Sequence, residues 1–224
     1  MKDEPSSTGH GERAVMSEPF NAALLPASFL ARDARVVAPA LLGKLLVRDD
    51  VVLRITEVEA YWSPDDTANH CRMGRTARNA PMWGPAGNAY VYLCYGLHAM
   101  LNVVTDAEGQ GAAVLIRGCE PVAGIDTVRA RRRGLDGPAL LSGPGKVGAA
   151  LGLDSSWSGH ALFERSGLEL REGVAPRSIV AGPRVGIDYA TPRDRRARLR
   201  FAIGGSRWVS QSSTLTPWRA SARR

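Results

Sequence analysis

Apolar and polar positions change period several times along this chain, and each change marks an element. Residues 33–42 are apolar at helical spacing, begin at the N-cap type Asp33 and stop before Gly43; Pro39 inside the run predicts a kink or a shortened helix. Residues 44–48 and 51–61 then read as strands, separated by the turn residues Asp49 and Asp50. Residues 62–88 are rich in Gly, Pro, Asn, Asp and Arg and read as one long loop, a feature that is usually functional inside a compact domain. A hairpin follows: residues 89–94 are aromatic and β-branched, Tyr95-Gly96 can turn the chain, and 97–105 resume an apolar strand. Residues 112–117 form another strand. Residues 120–133 predict a helix entered at Pro121 and ended by Gly134, with Arg129, Arg131, Arg132 and Arg133 in its last turns, where cations complement the helix dipole. A further helix is expected near Lys146, then short strands around 168–171, 178–185 and 199–203. Strands outnumber helices without a βαβ rhythm, so the expected class is α+β with a mainly antiparallel sheet.

Polar residues bound the ends. Residues 1–19 mix Gly, Ser, Pro and both charge signs and read as a flexible tail; 212–224 read as a basic flexible tail, leaving one domain over 20–211. With 224 residues, 44% hydrophobic and 23% charged, the chain supports one domain with a real core. No apolar run long enough for a membrane span occurs, and the first twenty residues lack the apolar stretch of a secretory signal. Cys71, Cys94 and Cys119 are too scattered for a disulfide framework or a zinc pattern, so the expected setting is the reducing cytoplasm, with no cofactor. The formal charge of +7 suits a polyanionic partner, nucleic acid or an anionic membrane surface, although solubility alone accounts for many basic proteins.

Candidate chemistry starts on the second strand. Glu57, Glu59 and Tyr61 recur at period two and share one face. Two glutamates on a strand are most often a solvated face; Tyr61 beside Glu59, with His70 in the adjoining loop, supplies instead the parts that hold a flipped base and act on it. In the tyrosine-dense segment 90–96, Tyr90 reads as core. For Tyr95, core packing and a wedge between base pairs stand even. Ser142-Gly143-Pro144-Gly145-Lys146 could present backbone N–H groups to a phosphate or simply cap a helix. Arg193, Arg195, Arg196, Arg198 and Arg200 could track a DNA backbone or form a solvated segment.

Several motifs in one order carry a resemblance: Thr56-Glu57-Val58-Glu59-Ala60-Tyr61, Asn69-His70, Arg75-Thr76-Ala77-Arg78-Asn79, Met82-Trp83, 85–96, Leu101-Asn102-Val103, Val114-Leu115-Ile116-Arg117, Glu120-Pro121, Ser142 to Lys146, and Gly205-Ser206-Arg207-Trp208-Val209-Ser210. Over about residues 25–210 the chain resembles the alkyladenine (3-methyladenine, methylpurine) DNA glycosylases. It departs at Ala77, where proline is frequent, at Gly118, where alanine is common, and at Arg207, often proline.

The resemblance implies a single α+β domain around a curved, mainly antiparallel sheet with flanking helices and a DNA-inserting β-hairpin. Glu59 would activate the attacking water and Arg117 help hold it. Tyr61, His70 and Tyr92 would contact the flipped base, Asn102 would clash with the 2-amino group of guanine, and Tyr95 would fill the gap in the duplex. The implied partner is double-stranded DNA containing damaged purines, engaged by a monomer without cofactor or metal. A non-catalytic nucleic-acid binder and a catalytically dead relative are the rival readings.

Overall fold

The computed structural model describes residues 18–219. Among these residues nine strands form one sheet in which every pairing is antiparallel, giving a single α+β domain. In chain order the strands are β1 (Leu45–Arg48), β2 (Val51–Tyr61), β3 (Ala89–Cys94), β4 (His98–Thr105), β5 (Ala112–Ala123), β6 (Glu169–Arg171), β7 (Ile179–Gly182), β8 (Arg200–Ile203) and β9 (Thr216–Trp218). The main path runs β3-β4-β5-β2-β8-β7-β9, and β1 joins β2 to β6. β2 therefore changes neighbour halfway: residues 51–54 pair with β1, and Glu57 to Glu59 with β8. On its other edge β2 pairs with β5, with register shifts between Ile55 and Val58. Such irregularities bend a strand and re-aim its side chains, and here they fall beside Glu57 and Arg117.

Helices cover one side of the sheet. In α1 (Ala34–Leu41), Asp33 caps the first turn through the N–H of Arg35, and Ala34, Val37, Ala38 and Leu41 form the buried stripe facing β2 and β5. The helix passes through Pro39 without a break and ends at Leu41. Gly43 follows at φ +86°, where a Cβ would lie 2.1 Å from the Val174 carbonyl oxygen, so no other residue fits. α3 (Pro144–Ala150) lies on β4 and β5, and a Cβ on Gly148 would lie 2.1 Å from the Ala99 carbonyl oxygen. That close approach brings Pro144 to the edge of the functional face.

Two expectations are corrected. Residues 120–123 do not open a helix: β5 continues through Pro121 to Ala123, paired with β2, and only after Gly124 (φ +71°) does α2 (Ile125–Arg131) begin. Pro121 is tolerated in the strand because it sits beside the register shift at Val52–Leu53. Nor is the C-terminal segment loose over 212–218, while residues 220–224 lie outside the described residues. Ser212–Thr214 form a helical turn, β9 pairs with β7, and the Trp218 ring meets Phe201 edge-on at 5.4 Å. Of the expected N-terminal tail, residues 1–17 lie outside the described residues; Glu18–Asn21 form a helical turn. No described helix is long and apolar enough to cross a membrane.

Candidate active site

Register lays the candidate residues side by side. Glu59 is opposite Leu115 on β5, Leu115 opposite Asn102 on β4, and Asn102 opposite Tyr90 on β3. Opposite residues on neighbouring strands share a face, so this row carries Glu59 across to Tyr90. Period-two alternation adds Glu57 and Tyr61 from β2, Arg117 from β5, Met100 from β4 and Tyr92 from β3 to that face. Above it lies a cavity of about 520 Å³, within the usual range for small-molecule sites of roughly 300–1,000 Å³. Tyr61, Tyr90, Tyr92, Asn102 and Arg117 line it from the sheet, His70 and Arg78 from the long loop, and Val185, Gly186, Ile187 and Tyr189 from the segment after β7.

The aromatic rings form a connected wall. Tyr90 and Tyr92 stack at 5.4 Å, and the His70 ring meets Tyr92 edge-on at 4.6 Å. The Tyr90 hydroxyl lies 3.2 Å from Nδ1 of His70. Burial, reinforced by Arg78 and Arg72, lowers the His70 pKa below its ordinary value, so the imidazole is neutral at pH 7. Burial raises the tyrosine hydroxyls, that of Tyr90 to about 12. Tyr61 is raised by burial and then by the Glu59 carboxylate, to whose Oε2 it donates at 2.8 Å.

Glu59 has no exposed surface and is held from several sides. Its Oε1 accepts the Val185 N–H at 2.8 Å and lies 3.4 Å from Nε of Arg117. Arg117 donates through Nε to Glu57 (3.2 Å) and through Nη2 to the Ser210 hydroxyl (3.2 Å). Burial alone would lower the Arg117 pKa, but the carboxylates of Glu59 and Glu57 outweigh it and hold the guanidinium charged. Glu57 is buried in turn among Arg117, Arg200 (Nη1, 2.8 Å) and the Ser210 N–H (2.7 Å) and hydroxyl (2.9 Å). Two carboxylates and two guanidiniums thus compensate one another inside the sheet, and Glu59 is the carboxylate nearest the cavity. Behind Tyr61, Arg184 stacks 4.6 Å from the ring and binds the buried Asp66 bidentately at 2.6 and 2.7 Å.

Each residue singled out from the sequence has a definite place. Tyr61, His70, Tyr92, Asn102 and Arg117 line the cavity, and Glu59 sits directly behind Tyr61 and Arg117. Tyr90 is buried, as read, and also lines the cavity. Tyr95 is 91% exposed at the hairpin tip, which excludes core packing. The Leu97 N–H donates to the Cys94 carbonyl, and the two residues between have positive φ, as a type I′ turn requires. The Arg193–Arg200 series is not a continuous basic track: Arg193, Arg195, Arg196 and Arg198 are exposed, as a solvated segment would have them, but Arg200 is not. Arg200 is wholly buried on Glu57, and Arg198 binds the carbonyls of Ala181, Thr216 and Pro217. The sequence reading missed Tyr189, Arg184 with Asp66, and the Val185 N–H, whose partners are 118 or more residues away in the chain. It noted Glu57 only as a face-mate of Glu59.

A sheet face lined by rings, with a buried carboxylate and guanidinium behind them, has the shape and chemistry to take a planar group. The methylpurine-DNA glycosylase family model matches residues 28–207, and the chain belongs to that family. It is 61% identical over 194 residues to a Nitrosococcus oceani protein named "Putative 3-methyladenine DNA glycosylase", covering 87% of this chain and 96% of that one. It is 57% identical over 198 residues to the "DNA-3-methyladenine glycosylase" of Arabidopsis thaliana, covering 87% and 77%. A Methanoculleus marisnigri relative is 49% identical over 196 residues, covering 84% and 98%.

Proposed function

We propose that the protein is a monofunctional DNA glycosylase that receives an alkylated or deaminated purine flipped from duplex DNA and hydrolyses its bond to the sugar. The observation that carries this reading is the aromatic cavity with Arg117 in its wall and Glu59 paired to it directly behind. Tyr61, Tyr92 and His70 sandwich the extruded base, and Tyr95 fills the gap it leaves. A purine alkylated at N3 or N7 already carries positive charge, so it departs with the electron pair of the C1′–N bond and no strong acid is needed. The sugar becomes oxocarbenium-like, as in other glycoside hydrolysis. Glu59 stabilises that charge and takes a proton from water as the water oxygen bonds to C1′. Arg117, kept charged between two carboxylates, holds the water beside Glu59. The product is an abasic site; no lysine is needed as nucleophile.

The test is single-turnover release of free base from duplexes carrying alkylated adenine or hypoxanthine. Glu59→Gln is close in size and retains an acceptor, yet cannot take the proton; it should bind DNA as the wild type does and lose nearly all release. Activity within a few-fold of wild type would overturn the assignment of Glu59.

A further inference from the structure

Residues 67–105 contain no Asp or Glu, yet they carry Arg72, Arg75 and Arg78. The loop bearing these arginines is locked by Asn79, itself nearly buried. Its Nδ2 donates to the carbonyls of His70 (3.0 Å) and Gly74 (2.9 Å), and its Oδ1 accepts the Thr76 N–H at 2.7 Å. Two arginine side chains leave the locked loop and rest on rings of the main cavity: Arg72 lies 5.0 Å from the centroid of Tyr189, and Arg78 lies 5.7 Å from that of Tyr92. Between them opens a cleft of about 230 Å³ lined by His70, Arg72, Thr76, Arg78, Asn79 and Tyr90. It shares His70, Arg78 and Tyr90 with the main cavity.

The charge in this cleft is uncompensated. Several arginines elsewhere meet carboxylates: Arg129 with Asp136, Arg131 with Asp49, Arg184 with Asp66 and Arg193 with Asp194. Among the described residues no carboxylate lies within 4.0 Å of Arg72 or Arg78; they donate only to backbone oxygens, of Asn69 and Leu93. Burial lowers the His70 pKa first, and both arginines add to that effect. Two guanidiniums converging with a threonine side chain, a neutral histidine and no carboxylate suit a tetrahedral oxyanion, which a guanidinium fork matches in geometry as well as charge.

We propose that this cleft is a phosphodiester subsite, seating one backbone phosphate of the strand whose base enters the main cavity. The choice of DNA as ligand rests on the glycosylase reading above. Because the cleft opens onto the base cavity through His70 and Arg78, seating the phosphate and seating the base stabilise each other. Arg72 and Arg78 are binding residues here and take no part in bond breaking.

The test is a cycle of binding measurements on duplexes holding an uncleavable abasic-site analogue. Each phosphate flanking the analogue is replaced, one at a time, by an uncharged methylphosphonate. At one position wild-type affinity should fall about tenfold, equivalent to about 1.4 kcal/mol. Arg78→Gln should lose a similar factor on the ordinary duplex and nothing more on the duplex methylated there. Its log–log salt slope should be shallower by about 0.9, one phosphate contact. Arg78→Lys, which keeps the charge without the fork, should fall between, and Arg72→Gln should repeat the pattern. Losses that multiply at every flanking position would overturn the subsite. Base release from a hypoxanthine duplex is measured alongside: its absence would overturn the glycosylase reading, while the affinity cycle still decides the subsite.

Discussion

Replacing Tyr95 separates base extrusion from bond cleavage. The ring is 91% exposed, so in the free protein its removal takes no apolar surface out of the core. The 3–5 kcal/mol loss typical of truncating a buried large aromatic therefore does not apply, and Tyr95→Ala should melt within about a degree or two of wild type. The backbone provides a second handle, because Tyr95 sits at φ +50°, a region costing a residue with a Cβ roughly 1–2 kcal/mol. Tyr95→Gly removes both ring and strain, and should melt at or above the wild-type temperature. On duplex DNA the ring fills the space of the extruded base. Stacking of a base on an aromatic ring is worth about 1–3 kcal/mol, so either variant should lose roughly 5- to 150-fold in the extruded population. Single-turnover base release is the assay, run on a well-paired lesion, on the same lesion opposite a poor partner, and in single strands. The loss should be largest on the well-paired duplex and shrink where extrusion is already easy. Equal losses on all three substrates, or a variant that melts early, would refute the wedge.

Three other outcomes follow from contacts in the site. Both amide hydrogens of Asn102 are engaged, by the carbonyls of Tyr90 at 3.0 Å and Met100 at 3.1 Å, leaving Oδ1 to meet a base. Asn102→Ala should raise release of guanine or 7-methylguanine relative to hypoxanthine, and an unchanged ratio would remove Asn102 from base selection. Glu57→Gln leaves buried Arg200 and Arg117 without that counter-charge and should cost about 3–5 kcal/mol in urea unfolding; a loss under 1 kcal/mol would mean the network is not held by charge. The lowered His70 pKa means that the unfolded chain protonates before the native one, so stability should fall as pH drops below about 6.5. His70→Gln should flatten that part of the pH–stability curve, and an unchanged slope would assign it elsewhere.

The local parts of the site were legible in sequence and their assembly was not. Alternation puts Glu57, Glu59 and Tyr61 on one face, and Tyr95-Gly96 announces the turn between two apolar runs. No local pattern states that Glu59, Leu115, Asn102 and Tyr90 lie in one cross-strand row, because that depends on the register of three separate pairings. Contacts such as Val185 with Glu59, 126 residues apart, leave no trace at short range. The misread helix at 120–123 has a similar origin. Pro121 fits the first turn of a helix by itself, and only the long partner β2 keeps the segment extended to Ala123. Trp218 gave no signal in a polar tail until β7 and Phe201 supplied its surface.

Net charge pointed towards a polyanionic partner, but it is the pairing of charges that tells where such a partner could lie. The Arg193–Arg200 series is the densest stretch of arginine after 129–133, yet in it Arg193 is neutralised by Asp194 and Arg200 by Glu57. In the 129–133 series, Arg129 and Arg131 meet aspartates and Arg132 donates to the carbonyls of Leu140 and Ala139. These paired guanidiniums are occupied by the fold, and exchanging one partner for a phosphate yields little net gain; Arg133, Arg195 and Arg196 are exposed but line neither cavity. Arg72 and Arg78 meet no carboxylate; Arg78 lines the aromatic cavity and both line the adjoining cleft. A charge left uncompensated beside a cavity destabilises the free protein slightly and is relieved only when an anion arrives. The gain from that relief goes wholly into the complex. The strength of a basic surface for DNA is therefore set by the arginines the fold leaves without carboxylate partners, and two of these, Arg72 and Arg78, lie beside the residues proposed to do the chemistry.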